Sequence, residues 1–193
     1  MDDGRAPGHL TVVGGPMFAG KTEELVRRVH RAQIAGRGTV VVTHVLDTRY
    51  GTGRVASHSG VVAESLAVDD AGAVRGIVTP DVRLVAVDEA QFFGPGLVPV
   101  VLDLLDAGLD VVVAGLSVTY DGWPFEPVPA LMAVAESVVK LTAVCSVCGR
   151  DAAYHVRASD GGSPVDDAVV PVAAHVGGTE SYQARCRAHR TPR

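Results

Sequence analysis

Short, unbroken apolar runs recur along the chain, each closed by glycine or a polar residue. Leu10-Thr-Val-Val13 stops at Gly14-Gly15, and Thr22 to Ile34 then carries apolar and charged residues at helical spacing. Thr39-Val-Val-Val-Thr43, Arg83-Leu-Val-Ala-Val-Asp88 and Asp110-Val-Val-Val-Ala-Gly-Leu116 repeat the apolar pattern, with a helix-compatible stretch from Leu97 to Ala107 before the last of them. Ser137 to Val144 reads as the final core strand. Continuous rather than alternating runs mean strands buried on both faces, so the expected fold is α/β, a parallel sheet covered by helices on two sides. The polar segment from Asp47 to Gly60, rich in glycine and serine, reads as a mobile loop, and Ala158 to Asp167 as a turn or flexible excursion.

Composition narrows the class. With 193 residues the chain suits one compact domain and a small appendage. A net charge of −5 is a poor match to a partner made of nucleic-acid phosphates or anionic lipid. The longest stretch without Asp, Glu, Lys or Arg, Ala6 to Gly20, is too short and too interrupted by proline and glycine to span a bilayer. The start, Met1-Asp2-Asp3, is acidic where a secretory signal is basic. The expectation is a cytoplasmic protein with neither membrane nor nucleic-acid partner.

The three cysteines argue against structural disulfides. Cys145-Ser-Val-Cys148 and Cys186-Arg-Ala-His189 instead supply four ligands of the type that closes a tetrahedral, structural Zn²⁺ site. A redox C-x-x-C beside an unrelated Cys and His is the alternative, but its strand-helix context is missing. Zinc at these positions pins together the ends of a loop over residues 149 to 185, dividing the chain into a core (1–144) and a small C-terminal lobe (145–193).

Gly15-Pro16-Met17-Phe18-Ala19-Gly20-Lys21-Thr22 is G-x-x-x-x-G-K-T, set between a predicted strand and a predicted helix. In that setting the backbone N–H groups wrap phosphates, Lys21 reaches the outer phosphates and the Thr22 hydroxyl meets Mg²⁺. Asp88 and Glu89 end a buried strand, where a carboxylate points at the phosphate crevice. Asp88 is the expected Mg²⁺ residue, acting through water, and Glu89 the expected base for an acceptor hydroxyl. Arg49, in the polar loop, is a candidate to stabilise the transferring phosphoryl group, with solvated loop charge as the plain alternative. The nine aromatic residues avoid the inner stretches of the predicted core strands and gather in motif segments and lobe, as a pocket for a planar base requires.

From about Val12 to His189 the chain resembles the thymidine kinase family of the zinc-containing, P-loop type. The segments that carry the resemblance are Gly15 to Leu25, Asp47 to Tyr50, Asp88 to Phe93, Ala135 to Cys145, and Gly177-Gly178 followed by Tyr182 and Cys186. It implies a P-loop core with a lasso-like loop in the zinc lobe, ATP and thymidine as substrates, and Glu89 as the base on the deoxyribose 5′-hydroxyl. It further implies that Gly177, Gly178 and Tyr182 belong to the lasso, that Phe92, Leu116, Tyr120 and Phe125 line the nucleoside pocket, and that Met17 faces it. A homotetramer and feedback inhibition by dTTP follow from the same resemblance. Three places depart from the family pattern: Leu116 to Tyr120, Asp121-Gly122-Trp123, and His155, where a small hydroxyl residue is common. These bear on nucleoside preference and leave the phosphate residues intact. A nucleic-acid-driven ATPase with a zinc ribbon and a GTPase are the rival readings; charge opposes the first, and the lack of Asn-Lys-x-Asp the second.

Overall fold

The computed structural model describes residues 6–47, 54–56, 62–157 and 181–190, with backbone alone at 54–56 and 62. In chain order the elements are β1 (Leu10–Gly15), α1 (Lys21–Ile34), β2 (Gly38–His44), β3 (Arg54–Ala56), β4 (Val62–Glu64), β5 (Leu66–Val68), α2 (Ala73–Gly76) and β6 (Val82–Val87). A 3₁₀ turn (Ala90–Phe93) leads to α3 (Leu97–Asp106), β7 (Asp110–Leu116), α4 (Val128–Val134) and β8 (Ser137–Lys140). The lobe adds β9 (Ala143–Val144), β10 (Asp151–Ala152), β11 (Tyr154–Arg157) and β12 (Tyr182–Arg185).

Six strands form one sheet in the order β5-β2-β6-β7-β1-β8, every neighbouring pair parallel. All six residues of β1 are buried, as an unbroken apolar run requires. Alternate side chains serve opposite faces. Val13, Val41, Leu84, Ala86, Val112 and Ala114 meet Leu25, Val26, Val29 and Ala32 of α1. Leu10, Val12, Val42, Val85, Val87, Val111 and Val113 face the other way, onto Val74 of α2, Leu97, Val100, Val101 and Leu104 of α3, and Val128 and Leu131 of α4. The 3.6-residue spacing of α3 (Leu97, Val100, Val101, Leu104, Leu105) gives it one buried stripe.

Two expectations are corrected. The polar segment read as loop contains β3, which pairs antiparallel with β4 over three residues, too few for a periodic signal in the sequence. Ser137 to Val144 is not one strand. Its first half pairs with β1, Leu141 donates its N–H to the Gly14 carbonyl at 2.8 Å, and Ala143–Val144 then joins β10 in a separate ribbon. The mixed run of apolar and polar residues from Ser137 to Val144 carries no signal for a change of partner. The sequence reading also missed β5 and α4. The excursion at 158–167 lies outside the described residues.

The approach of α4 depends on two glycines paired across strands, Gly14 of β1 and Gly115 of β7. A Cβ on Gly115 would stand 2.8 Å from Val128 Cγ2 and 3.0 Å from Gln91 Oε1. Alanine at 115 should therefore cost about 1–3 kcal/mol through overpacking, exceeding the few tenths gained from a stiffer unfolded chain. The check is the urea midpoint of Gly115→Ala; an equal or higher midpoint would mean that α4 packs less closely than described.

Candidate active site

The register of the sheet delivers the chemistry-bearing residues to one edge. Gly15 ends β1 opposite Leu116 of β7, while Val87 of β6 pairs with Val113. Asp88 and Glu89 thus emerge beside the glycine-rich loop, at the carboxyl ends of parallel strands where α/β sheets open a crevice. Within the loop Phe18 and Gly20 take positive φ, 66° and 80°, so the backbone can turn sharply into α1. Lys21, 8% exposed, folds back to donate from Nζ to the Pro16 carbonyl at 2.8 Å. This closes the loop around its own lysine, leaving a short ring of backbone for phosphate oxygens to occupy.

Thr22 Oγ1 donates to Asp88 Oδ2 at 2.9 Å, and the Asp88 Oδ1 accepts the Glu89 N–H at 3.0 Å. The Asp88 N–H itself bonds the Val42 carbonyl at 2.9 Å, tying the acid to β2 as well. A hydroxyl and a carboxylate so placed are the hard oxygen donors that could hold a Mg²⁺ shared with phosphates. Glu89 is 6% exposed and sits at φ 50°, ψ 45°, a left-handed conformation that turns its side chain out of the strand path. Gln91, 1% exposed, reaches back to it: Nε2 donates to Glu89 Oε2. Sequence reading passed over Gln91; the signal was a lone amide in the apolar run Ala90 to Phe93.

Beside this edge Met17, Leu116 and Tyr182 form a buried apolar cluster, with Phe18, Tyr120 and Phe125 packed against it. Five positions expected around a nucleoside, Met17 included, thereby come together. Phe92 is buried and lies tilted against His44 at a ring separation of 6.1 Å. His44 also meets Phe93 edge-on at 4.9 Å, and burial holds its pKa below the usual imidazole range against the opposing pull of Asp69 and Asp70. Arg49, Gly177 and Gly178 lie outside the described residues.

The lobe brings two further residues to the cluster. β11 pairs antiparallel with β12, placing Arg157 opposite Tyr182 and His155 opposite Ala184. His155, 1% exposed, meets Tyr182 edge-on at 5.5 Å, and the Arg157 guanidinium lies 4.7 Å over the Tyr120 ring. Burial pushes the Tyr182 phenol up, while a hydrogen bond from Arg157 works the other way. Arg157 went unnoticed in the sequence, although the strand period of two puts it on the face of His155.

Behind the ribbon, Cys145, Cys148 and Cys186 Sγ and a His189 ring nitrogen lie within 4.8 Å of one another. Cys148 and Cys186 Sγ are 3.8 Å apart, and His189 Nδ1 is 3.7 Å from Cys145 Sγ and 3.3 Å from Cys186 Sγ. Tetrahedral bonds of about 2.3 Å to sulfur imply edges of about 3.8 Å, whereas a disulfide needs about 2.05 Å. The four groups fit zinc and do not fit a disulfide. Burial opposes ionisation of Cys145, yet the backbone N–H groups of Cys186, Val147 and Cys148, with the His189 ring, bring its thiol down to about 5. The Arg150 guanidinium likewise lowers Cys148.

In class, this is a P-loop α/β protein whose glycine loop and carboxylate pair lie at one sheet edge beside an apolar cluster. Comparison with known proteins gives the family. The thymidine kinase family model matches residues 8–190. The chain is 48% identical to a thymidine kinase of Deinococcus radiodurans, covering 94% of this chain and 89% of that one. It is 44% identical to a thymidine kinase of Bdellovibrio bacteriovorus, over 96% of this chain and 86% of the relative. The chain belongs to the thymidine kinase family.

If the four-ligand cluster holds the lobe together, freshly purified protein should contain one zinc per chain. Cys148→Ser should weaken zinc binding by about tenfold or more, with nucleoside KM rising while ATP still binds. Metal-free protein with full nucleoside affinity would contradict this.

Proposed function

We infer that this kinase transfers the γ-phosphoryl group of ATP to the 5′-hydroxyl of thymidine, and less readily of deoxyuridine, with Glu89 as the base. The observation that carries the reading is the meeting of phosphate loop, carboxylate pair and aromatic cluster at one sheet edge. Residues 15 to 22 bind the triphosphate, Thr22 and Asp88 hold the Mg²⁺ that offsets its charge, and the cluster of Met17, Leu116, Tyr120, Phe125 and Tyr182 receives the nucleoside. Phe92 and, from the resemblance, Gly177 and Gly178 complete that pocket. As the 5′-oxygen bonds to the γ-phosphorus, the phosphorus bond to the bridging oxygen breaks, the hydroxyl proton passes to the Glu89 carboxylate, and ADP leaves. Arg49 stabilises the charge spread over the transferring group.

The division into a catalytic core (1–144) and a zinc-held substrate lobe (145–193) belongs to the same reading. So do a cytoplasmic homotetramer and inhibition by dTTP, which rest on the resemblance. Among the described residues no helix is long and apolar enough to cross a membrane.

Glu89→Gln keeps size and hydrogen bonding but accepts no proton readily. Turnover should fall about 10² to 10⁴-fold, with nucleoside affinity changed little; near-normal kcat would remove Glu89 from the role. Specificity gives a separate check. A backbone-lined pocket that reads the thymine edge meets the cytosine amino group with unpaired polar groups, at about 1–3 kcal/mol each. A missing methyl costs about 1–3 kcal/mol in an apolar pocket. The expected order of kcat/KM is thymidine, deoxyuridine, then deoxycytidine and deoxyguanosine far below. A preference for deoxycytidine or a purine would overturn the pocket reading and leave the kinase in place.

A further inference from the structure

Gln91 spans the two halves of the site. Its Oε1 accepts the Leu116 backbone N–H at 2.9 Å, and its Nε2 donates to Glu89 Oε2. The orientation of this amide is not free. A backbone N–H can only donate, so the oxygen must face Leu116 and the NH₂ must face Glu89. The amide therefore fixes both the position of Glu89 and which kind of group the glutamate meets there.

Each end of this bridge is anchored in the fold. Leu116 closes β7, and its side chain, 1% exposed, belongs to the apolar cluster with Met17 and Tyr182. Glu89 occupies a left-handed turn in which its carbonyl accepts the Phe92 N–H at 3.0 Å. The space for the amide comes from Gly115, where a Cβ would stand 3.0 Å from Gln91 Oε1. Asp88 neighbours Glu89 through the chain, but its carboxylate is occupied with the Thr22 hydroxyl and the Glu89 N–H. A glutamate side chain has three rotatable bonds, and a carboxylate displaced by 1 Å from a reacting hydroxyl can lose about 10²-fold in rate.

We propose that Gln91 is a positioning residue, whose amide holds the Glu89 carboxylate in register with the nucleoside pocket at Leu116. It acts through Glu89 and touches no reacting atom. The proposal rests on the reading of Glu89 as the base, and the test separates the two.

Two variants are compared with the parent enzyme. Gln91→Leu removes both hydrogen bonds. Gln91→Glu keeps an acceptor for Leu116 but sets an oxygen where the donor to Glu89 stood, so it isolates that contact should the leucine variant fail to fold. The expected result is a fall in kcat of about 10- to 100-fold in either variant, with KM for thymidine and for ATP within about threefold. Each substitution is then repeated in a Glu89→Gln background. There it should change the residual rate by less than about twofold, because a side chain that acts only through the base has nothing left to position. A kcat within threefold of the parent, a loss confined to KM, or an equal loss in both backgrounds would overturn the proposal. If Glu89→Gln is inactive while the Gln91 variants are normal, this inference alone fails; if Glu89→Gln is itself active, the base reading fails and takes the inference with it.

Discussion

The site hangs on the parallel register of β6, β7 and β1. Gly15 lies level with Leu116, and Val87 lies level with Val113, so the strand ends form a step rather than a line. That step lets Asp88 reach Thr22 across the crevice while the chain after β6 turns back toward the end of β7. A one-residue slip in a strand buried on both faces would exchange its two sets of side chains, setting Val12 against α1 and Val13 against α4. The hydrophobic core thus protects the spacing of the polar groups.

Phe18 joins the core to the lobe. It packs against the small lobe core of Ala143, Cys145, Ala152, Ala184 and Cys186, and also against the pocket cluster of Met17, Leu116 and Tyr182. A residue of the phosphate loop is therefore clamped between the metal cluster and the pocket, at a φ of 66° that a bulky side chain seldom adopts. Such a conformation persists only when surrounding packing over-determines it. The arrangement ties the lobe to the glycine-rich loop through one side chain, so the packing around the cysteine-histidine cluster has a bearing on the shape of that loop.

Much of this was legible in the sequence, for reasons that differ by element. The core strands β1, β2, β6 and β7 announced themselves because burial on both faces leaves few polar positions to blur the pattern. The cysteine-histidine cluster was legible because knuckle spacing is local, and so was the glycine-rich loop between strand and helix. Partner choice was not: nothing in Ser137 to Val144 shows where β8 stops and the lobe ribbon begins. Gln91 and Arg157 escaped for a related reason. Their roles come from contacts with Leu116 and Tyr120 across the fold, and single-residue chemistry does not reveal which distant backbone N–H or ring a side chain will meet.

The departures from the family pattern fall unevenly, and the fold explains why. Leu116 to Tyr120 begins at the strand end level with Gly15, Asp121-Gly122-Trp123 follows in the turn after β7, and His155 lies on a strand of the β11–β12 ribbon. His155 is fully buried against Tyr182, so its size and polarity act on the cluster of Met17, Leu116 and Tyr182 and on the β11–β12 ribbon. The glycine-rich loop and the contact of Asp88 with Thr22 are held by backbone geometry and by bonds between core strands. The aromatic cluster is held in part by a separate ribbon that meets the core through Phe18 and Tyr182. Substitutions on the ribbon therefore act first on the aromatic cluster and reach the glycine-rich loop through Phe18 and Met17, while the register of the core strands stays as it is.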